Sequence, residues 1–260
     1  MFRAIEQSIL AEYSDERFFV DNQMSRIDRF HVERYLHHHR KLVRAVVKSV
    51  IRWSPGRSVA EIGPAYGATL MALQQSGKFE VQGFELDANI PVYCSALKSA
   101  GVPIQCADLY ASLPIEPERF DLVILSEVVE HLYCDLDAVA DVVRPAIRIG
   151  GRLLVTTPNI YRLTNLVKIA VGRNIVEGHA ATPRMIAGQY VDSRCHPIEY
   201  TCQDLRNTFG TRGWRLVALW TDTLDTPTKA FWERIAIAAV PKNLLYPTGQ
   251  TIFAVAERTA

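Results

Sequence analysis

The segment Glu127-Val128-Val129-Glu130-His131 follows an apolar run, FDLVILS, and groups side chains that could do chemistry. At helical spacing, positions 127, 130 and 131 share one face. Two carboxylates and an imidazole converging on one turn suit a divalent metal. His196, in the segment HPIEYT, is a fourth candidate ligand. Mixed Glu and His ligands do not select one metal. Magnesium prefers all-oxygen shells, so manganese or zinc is chemically reasonable beside it. A quieter reading stands next to this one. Acids in the first turn of a helix are stabilised by its dipole. His131 is then a packing or capping residue, or a general base that works without metal.

A second constellation lies upstream. SVAEIGPAYGATL (58–70) is an apolar run ending in Glu61-Ile62-Gly63, followed by a tight turn, Gly67 and a helical pattern. GFELD (83–87) then reads as a short strand ending in the acid Glu85. That is one βαβ unit, which holds a nucleoside-bearing ligand at the carboxyl ends of parallel strands. A dinucleotide fingerprint needs G-x-G-x-x-G/A, but this frame reads Gly63, Ala65, Ala68. The second Gly, which lets the backbone approach a pyrophosphate, is missing. Ala65 therefore argues against a nicotinamide-dependent oxidoreductase.

The spacing of Glu61, Gly63 and Gly67, E-x-G-x-x-x-G, resembles motif I of the class I S-adenosylmethionine (SAM) methyltransferases. That family usually has a further Gly where this chain has Ala65. Three more segments follow in the family's order: VPIQCADL (102–109), FDLVILSEVVEHL (120–132) and GGRLLVTTPN (150–159). The resemblance covers residues 58–160. It implies SAM as cofactor, held by Glu61, Gly63, Ala65 and Gly67 at the turn, by Glu85 and Leu86 at the ribose, and by Asp108 and Leu109 near the adenine. Ser126 completes the implied cofactor set. SEVVEH resembles the ubiquinone-biosynthesis O-methyltransferases and the methyltransferase type 11 and type 23 group. The E-x-x-E-H turn with a distant His also resembles the small-RNA 2′-O-methyltransferases.

These resemblances imply methylation of a hydroxyl on a small molecule or glycan. Glu127, His131 and His196 are the implied catalytic residues, and Glu127, Glu130, His131 and His196 the implied metal ligands. A hydroxyl acceptor must lose its proton in or before the transition state, and a metal holding that oxygen eases the loss. A vicinal diol or catechol would be fixed by two oxygens. Without metal, His131 or His196 is the base. Methylation of an RNA 2′-hydroxyl and a non-catalytic methyltransferase-like binding module are the alternatives. Glu61, Gly63 and Glu85 are all present, which argues against the degenerate module.

These residues must be positioned by a Rossmann-like α/β fold. The alternation from 57 to 157 predicts a doubly wound, seven-stranded, mostly parallel sheet. WRLVALW (214–220) and TIFAVAE (251–257) read as the final strands, the last one antiparallel, and 229–239 as a short helix. Thr201 is the expected N-cap of a helix stopped at Gly213. Residues 1–56 read as a helical N-terminal cap, and 57–260 as the SAM-binding domain. Within it, 158–199 is too long for an ordinary connection and reads as a lid facing the acceptor. Its candidate contacts are Tyr161, Arg162, His179, Arg184, Tyr190 and Arg194. Nine Arg or Lys against two acids between Arg26 and Arg57 fit either an anion-binding patch or the solvated face of an amphipathic helix. His37-His38-His39 points in three directions on a helix and does not form one metal cluster.

With 29 Lys and Arg against 28 Asp and Glu, no whole-protein field favours nucleic acid. Five cysteines (Cys94, Cys106, Cys134, Cys195 and Cys202) lack scaffold spacing and read as reduced thiols of a cytoplasmic protein. No signal peptide is read at the N-terminus, and no apolar stretch is long enough to span a membrane.

Overall fold

The apolar runs become strands because both faces of the sheet are covered, which is what continuous rather than alternating hydrophobicity requires. The structure, a computed structural model, describes residues 1–13, 18–20, 23–27, 29–111, 113–175, 185–186, 189–190, 196–211, 213–222 and 248–260. The N-terminal elements are α1 (Phe2–Ala11), β1 (Phe18–Val20), β2 (Gln23–Ile27) and α2 (Arg29–Trp53). The central series is β3 (Ser58–Ile62), α3 (Ala68–Gln75), β4 (Glu80–Glu85), α4 (Ile90–Tyr93), α5 (Ser95–Ser99), β5 (Ile104–Cys106) and β6 (Phe120–Ser126). It continues through α6 (Leu136–Val143), β7 (Ile147–Pro158), α7 (Leu163–Ala170), β8 (Met185–Ile186) and β9 (Gln189–Tyr190). The chain closes with α8 (Cys202–Phe209), β10 (Trp214–Asp222) and β11 (Thr251–Arg258).

Seven strands form one sheet in the order β10-β11-β7-β6-β3-β4-β5. The pairs β3–β4, β3–β6, β4–β5 and β6–β7 are parallel, and β11 runs antiparallel to both β7 and β10. This is the doubly wound sheet expected, with its last strand inserted antiparallel. The strand order reverses beside β3, between β4 and β6. The crevice at the carboxyl ends there is where such sheets bind ligands. Val59, Leu122 and Ile124 face a core closed by α1, α2 and α3, while Ala60, Val123 and Leu125 face the core under α6 and α8. At the opposite ends of the strands, Asp121 is buried, accepts the Ser58 N–H at 2.8 Å and pairs with Arg148. That bond locks β6 to β3.

Several boundaries differ from the sequence reading. Residues 1–56 are not helical throughout, because β1 and β2 form an antiparallel hairpin between α1 and α2. The aromatic and β-branched run Phe18-Phe19-Val20 suits a strand. No helix begins at Glu127. That residue has φ +55°, and Val129–His131 forms one 3-10 turn before α6 starts at Leu136. The helix-dipole account of the two acids therefore lacks its helix. Thr201 caps α8 in a full capping box with Asp204, as expected, but α8 stops at Gly210 rather than Gly213. Within 158–199, α7 and the strand pair β8–β9 give the expected lid region structure of its own. The helix expected at 229–239, and Cys195, lie outside the described residues. Among the described residues, Cys94, Cys106, Cys134 and Cys202 form no disulfide. Among the described residues, no helix is long and apolar enough to cross a membrane.

Candidate active site

β3 delivers the first part of the site. The Gly63 N–H donates to the Phe84 carbonyl at 2.8 Å, and the Gly67 N–H to the Pro64 carbonyl at 2.8 Å, so residues 63–67 fold into a tight turn. Gly63 and Gly67 have φ +71° and +76°. A Cβ on Gly67 would collide with the Leu97 side chain, and one on Gly63 would press on Val128. Ala65 also adopts positive φ, +46°. The departure from the family's usual Gly is thus accommodated by one left-handed Ala, a strain of about 1 kcal/mol.

Glu61 lies beneath this turn, 3% exposed, and its Oε2 has no hydrogen-bond partner. Burial pushes its carboxyl up to about 8; a hydrogen bond with Thr69 opposes the shift, and Glu85 adds to it. At the end of β4, Glu85 Oε1 accepts from the Leu86 N–H at 2.9 Å and from Asn89 Nδ2 at 3.1 Å. Burial raises the Glu85 carboxyl despite those bonds. Asp108, past the end of β5, is exposed and accepts from the Tyr110 N–H at 2.9 Å, while Leu109 is buried. Ser126 Oγ lies 3.0 Å from Thr156 Oγ1.

The second part gathers between the ends of β6 and β7 and the segment before α8. The Thr156 hydroxyl donates to Glu127 Oε1 at 3.1 Å, and the Thr157 hydroxyl to Glu130 Oε2 at 3.1 Å. Glu130 is fully buried, and its Oε1 has no partner. Burial, with the neighbouring Glu127, raises the Glu130 carboxyl well above its usual range. Burial also pushes Glu127 up to about 7, although the Thr156 bond and the charges of His196 and Arg162 pull the other way. The His131 and His196 rings meet edge to face, with centroids 4.8 Å apart. Ligand atoms of Glu130, His131 and His196 all lie within 4.8 Å of one another. Glu127, expected as a fourth ligand, stands outside that trio.

Behind His196 stands Glu199, which no sequence pattern marks as a site residue. His196 Nδ1 lies 3.8 Å from Glu199 Oε1, and Arg162 donates to both Glu199 oxygens at 3.0 and 3.1 Å. Burial alone would raise Glu199, but His196 and Arg162 hold it below its usual range. Arg162, expected as an acceptor contact, is thus committed to Glu199. Tyr161 is exposed. His179, Arg184 and Arg194 lie outside the described residues, as does the Tyr190 side chain. Thr156 and Thr157 were also unassigned, though a polar pair ending an apolar strand is a usable signal. Tyr35 and His39 of α2 line a cavity of about 30 Å³ together with Glu61, Gly63, Gly67 and Glu127. No local pattern marks them, because only the docking of α2 brings them there. A larger groove of about 530 Å³, between β4, β5 and residues 113–120, contains none of these site residues.

Residues 60–155 match the family described as Methyltransferase domain. No curated protein matches the chain. Among solved structures, the chain is similar to a SAM-dependent methyltransferase of Thermotoga maritima, described as a possible histamine N-methyltransferase. The TM-score is 0.57 at 14% identity, over 87% of this chain and 94% of that one. It is also similar to magnesium protoporphyrin IX methyltransferase of Synechocystis PCC 6803 with bound S-adenosylhomocysteine (SAH). There the TM-score is 0.56 at 16% identity, over 97% of this chain and 93% of that one. It is similar as well to a geranyl diphosphate methyltransferase, with a TM-score of 0.53 at 14% identity, over 84% of this chain and 76% of that one. At such identities the likeness is one of fold.

Proposed function

We infer, from the methyltransferase domain that this chain carries and its class I SAM-dependent methyltransferase fold, that the protein methylates a hydroxyl oxygen on a small molecule or glycan, with SAM as donor and a divalent cation at Glu130, His131 and His196. One observation carries the reading. A fully buried carboxylate with an unpartnered oxygen sits beside two imidazoles at the end of β6. An acid so placed costs stability unless something positive completes it. Carboxylate and imidazole together are a donor set for manganese or zinc, and for magnesium with added waters.

The cofactor reading fits the orphaned Oε2 of Glu61 under the 63–67 turn. Glu61 would hold the cationic amino-acid end, Glu85 the ribose hydroxyls, and Asp108 with Leu109 the adenine. When bound, SAM supplies an electrophilic methyl carbon. The cation, when bound, supplies positive charge that lowers an acceptor hydroxyl's pKa. Glu127, outside the trio and raised to about 7, is the group matched to take the acceptor proton at neutral pH. Arg162 and Glu199 orient the His196 ring, as carboxylates commonly do behind histidine ligands.

The basic stripe of α2 supports a small acceptor over RNA. Arg40 is paired with Glu6 at 2.6 Å, Arg44 lies over Phe2, and Arg52 lies over Trp53. These cations join the N-terminal helices and cover aromatic rings, and so are partly spent within the fold.

Two experiments test the reading. Glu85→Ala removes a charge-assisted acceptor and weakens SAM binding by about 1.5–3 kcal/mol in calorimetry. Unchanged affinity would remove Glu85 from the ribose. Incubation with SAM, manganese and a panel of catechols, vicinal diols and amines, read as SAH formed, yields product from the hydroxyl compounds. Product from amines alone would overturn oxygen methylation.

A further inference from the structure

The cavity over Glu61 and Gly63 is about 30 Å³, whereas small-molecule sites run to roughly 300 Å³ or more. Its roof is α2, which contributes Tyr35, His39, Leu42 and Val43. The methyltransferase match begins only at residue 60, beyond this helix. The Tyr35 and His39 rings stack at 4.0 Å between centroids and 24° between planes, and His39 Nδ1 lies 2.9 Å from the Tyr35 carbonyl. Burial pushes the His39 ring down to about 4, so it is neutral near pH 7. Burial raises the Tyr35 phenol strongly, and the carboxyls of Glu61, Glu127 and Glu85 raise it further. Tyr35 shares the lining of this cavity with two of the acids, Glu61 and Glu127. Its ring also meets Tyr66, on the 63–67 turn, at 4.9 Å.

An uncharged aromatic wall across a cavity from two acids, Glu61 and Glu127, is matched to a cation that is bulky and weakly hydrated. A sulfonium is such a cation, and the thioether left after methyl transfer is not. We propose that Tyr35 and His39 form the movable wall of the cofactor site: α2 withdraws from the 63–67 turn to admit SAM, then closes with the Tyr35 ring against the sulfonium. The pair thereby favours SAM over its neutral product. The inference rests on the SAM reading above, and it concerns residues outside the matched domain.

The test is titration of SAM and SAH into wild-type protein, Tyr35→Phe, Tyr35→Ala and His39→Ala, with hydrogen exchange of wild-type residues 29–53. In Tyr35→Ala, SAM affinity falls roughly tenfold, as loss of one partly desolvated cation–π contact implies, while SAH affinity changes less. Tyr35→Phe keeps the ring and keeps the preference for SAM. Amides of 35–43 exchange more slowly once SAM is bound. Wild type that binds SAM, with Tyr35→Ala indistinguishable from it or with exchange over 35–43 unchanged, overturns the role of α2 alone. Wild type that binds neither SAM nor SAH overturns the cofactor reading and this inference with it. The exchange measurement needs no variant, so it decides the matter even where Tyr35→Ala does not fold.

Discussion

Chelation of divalent ions abolishes methyl transfer and leaves SAM affinity nearly unchanged. Glu130→Ala, His131→Ala and His196→Ala each lower turnover by about 100-fold or more, and the losses do not multiply in the double variants. The reason is geometric. The three donor groups lie within 4.8 Å of one another, so removing one opens the whole set. Glu61, the residue proposed to meet the cofactor, is on a different strand and keeps its partner Thr69. A metal-free base makes another pattern: one His variant collapses, and chelator has no effect. A packing role makes a third, in which melting temperature falls in step with activity. Turnover measured beside thermal melting for Glu130→Ala and His196→Ala separates the three.

SAM binding strengthens as pH rises from 6 toward 8, and the Glu61→Gln variant loses both this rise and roughly 10- to 100-fold of affinity at pH 8. In the free protein the Glu61 carboxyl is pushed up to about 8 by burial, so at pH 7 it is largely protonated. A cationic ligand favours the ionised form, so binding at pH 7 releases a proton. Each unit below the shifted value then costs up to about tenfold in apparent affinity. Above pH 8 the ligand's own α-amino group loses its charge, so the rise stops there. The linkage to folding has the opposite sense. Because the folded value lies above the unfolded one, the stability tied to protonated Glu61 is full below about 4.5 and is lost as pH rises through about 8. Ligand-free protein is thus stabilised by acid at this one group while its cofactor affinity falls. Calorimetry in two buffers of different ionisation enthalpy reads the released proton. A flat affinity from pH 6 to 8 with no proton release contradicts the placement of Glu61.

Much of the fold was legible because its signals are local. A strand buried on both faces is an apolar run, and Gly63 and Gly67 mark a turn whose φ values are positive. The acids Glu61, Glu85 and Glu127 could be placed at strand ends by the same logic. The shape of the turn at 127–131 was not legible. Glu127, Glu130 and His131 were read as one helical face, but Glu127 takes a left-handed conformation and only a 3-10 turn follows. The grouping survives for Glu130, His131 and His196 because that turn still aims two of them at the segment before α8. Glu199, three residues after His196, is not marked by any local pattern, since its pairing depends on Arg162, which is distant in the chain. Tyr35 and His39 were beyond reach for a similar reason. Their place follows from how α2 packs on α1 and α3, and nothing in HHH or its neighbours encodes that contact locally.

The most direct measurement is a crystal structure of the protein soaked with SAH and manganese, with data collected for anomalous scattering from the metal. The account predicts one manganese peak coordinated by Glu130, His131 and His196, and SAH across residues 61–67 with its ribose on Glu85. SAH bound there with no manganese at the trio would contradict the metal-assisted centre. SAH bound elsewhere, or not at all under saturating conditions, would contradict the assignment of the site as a whole.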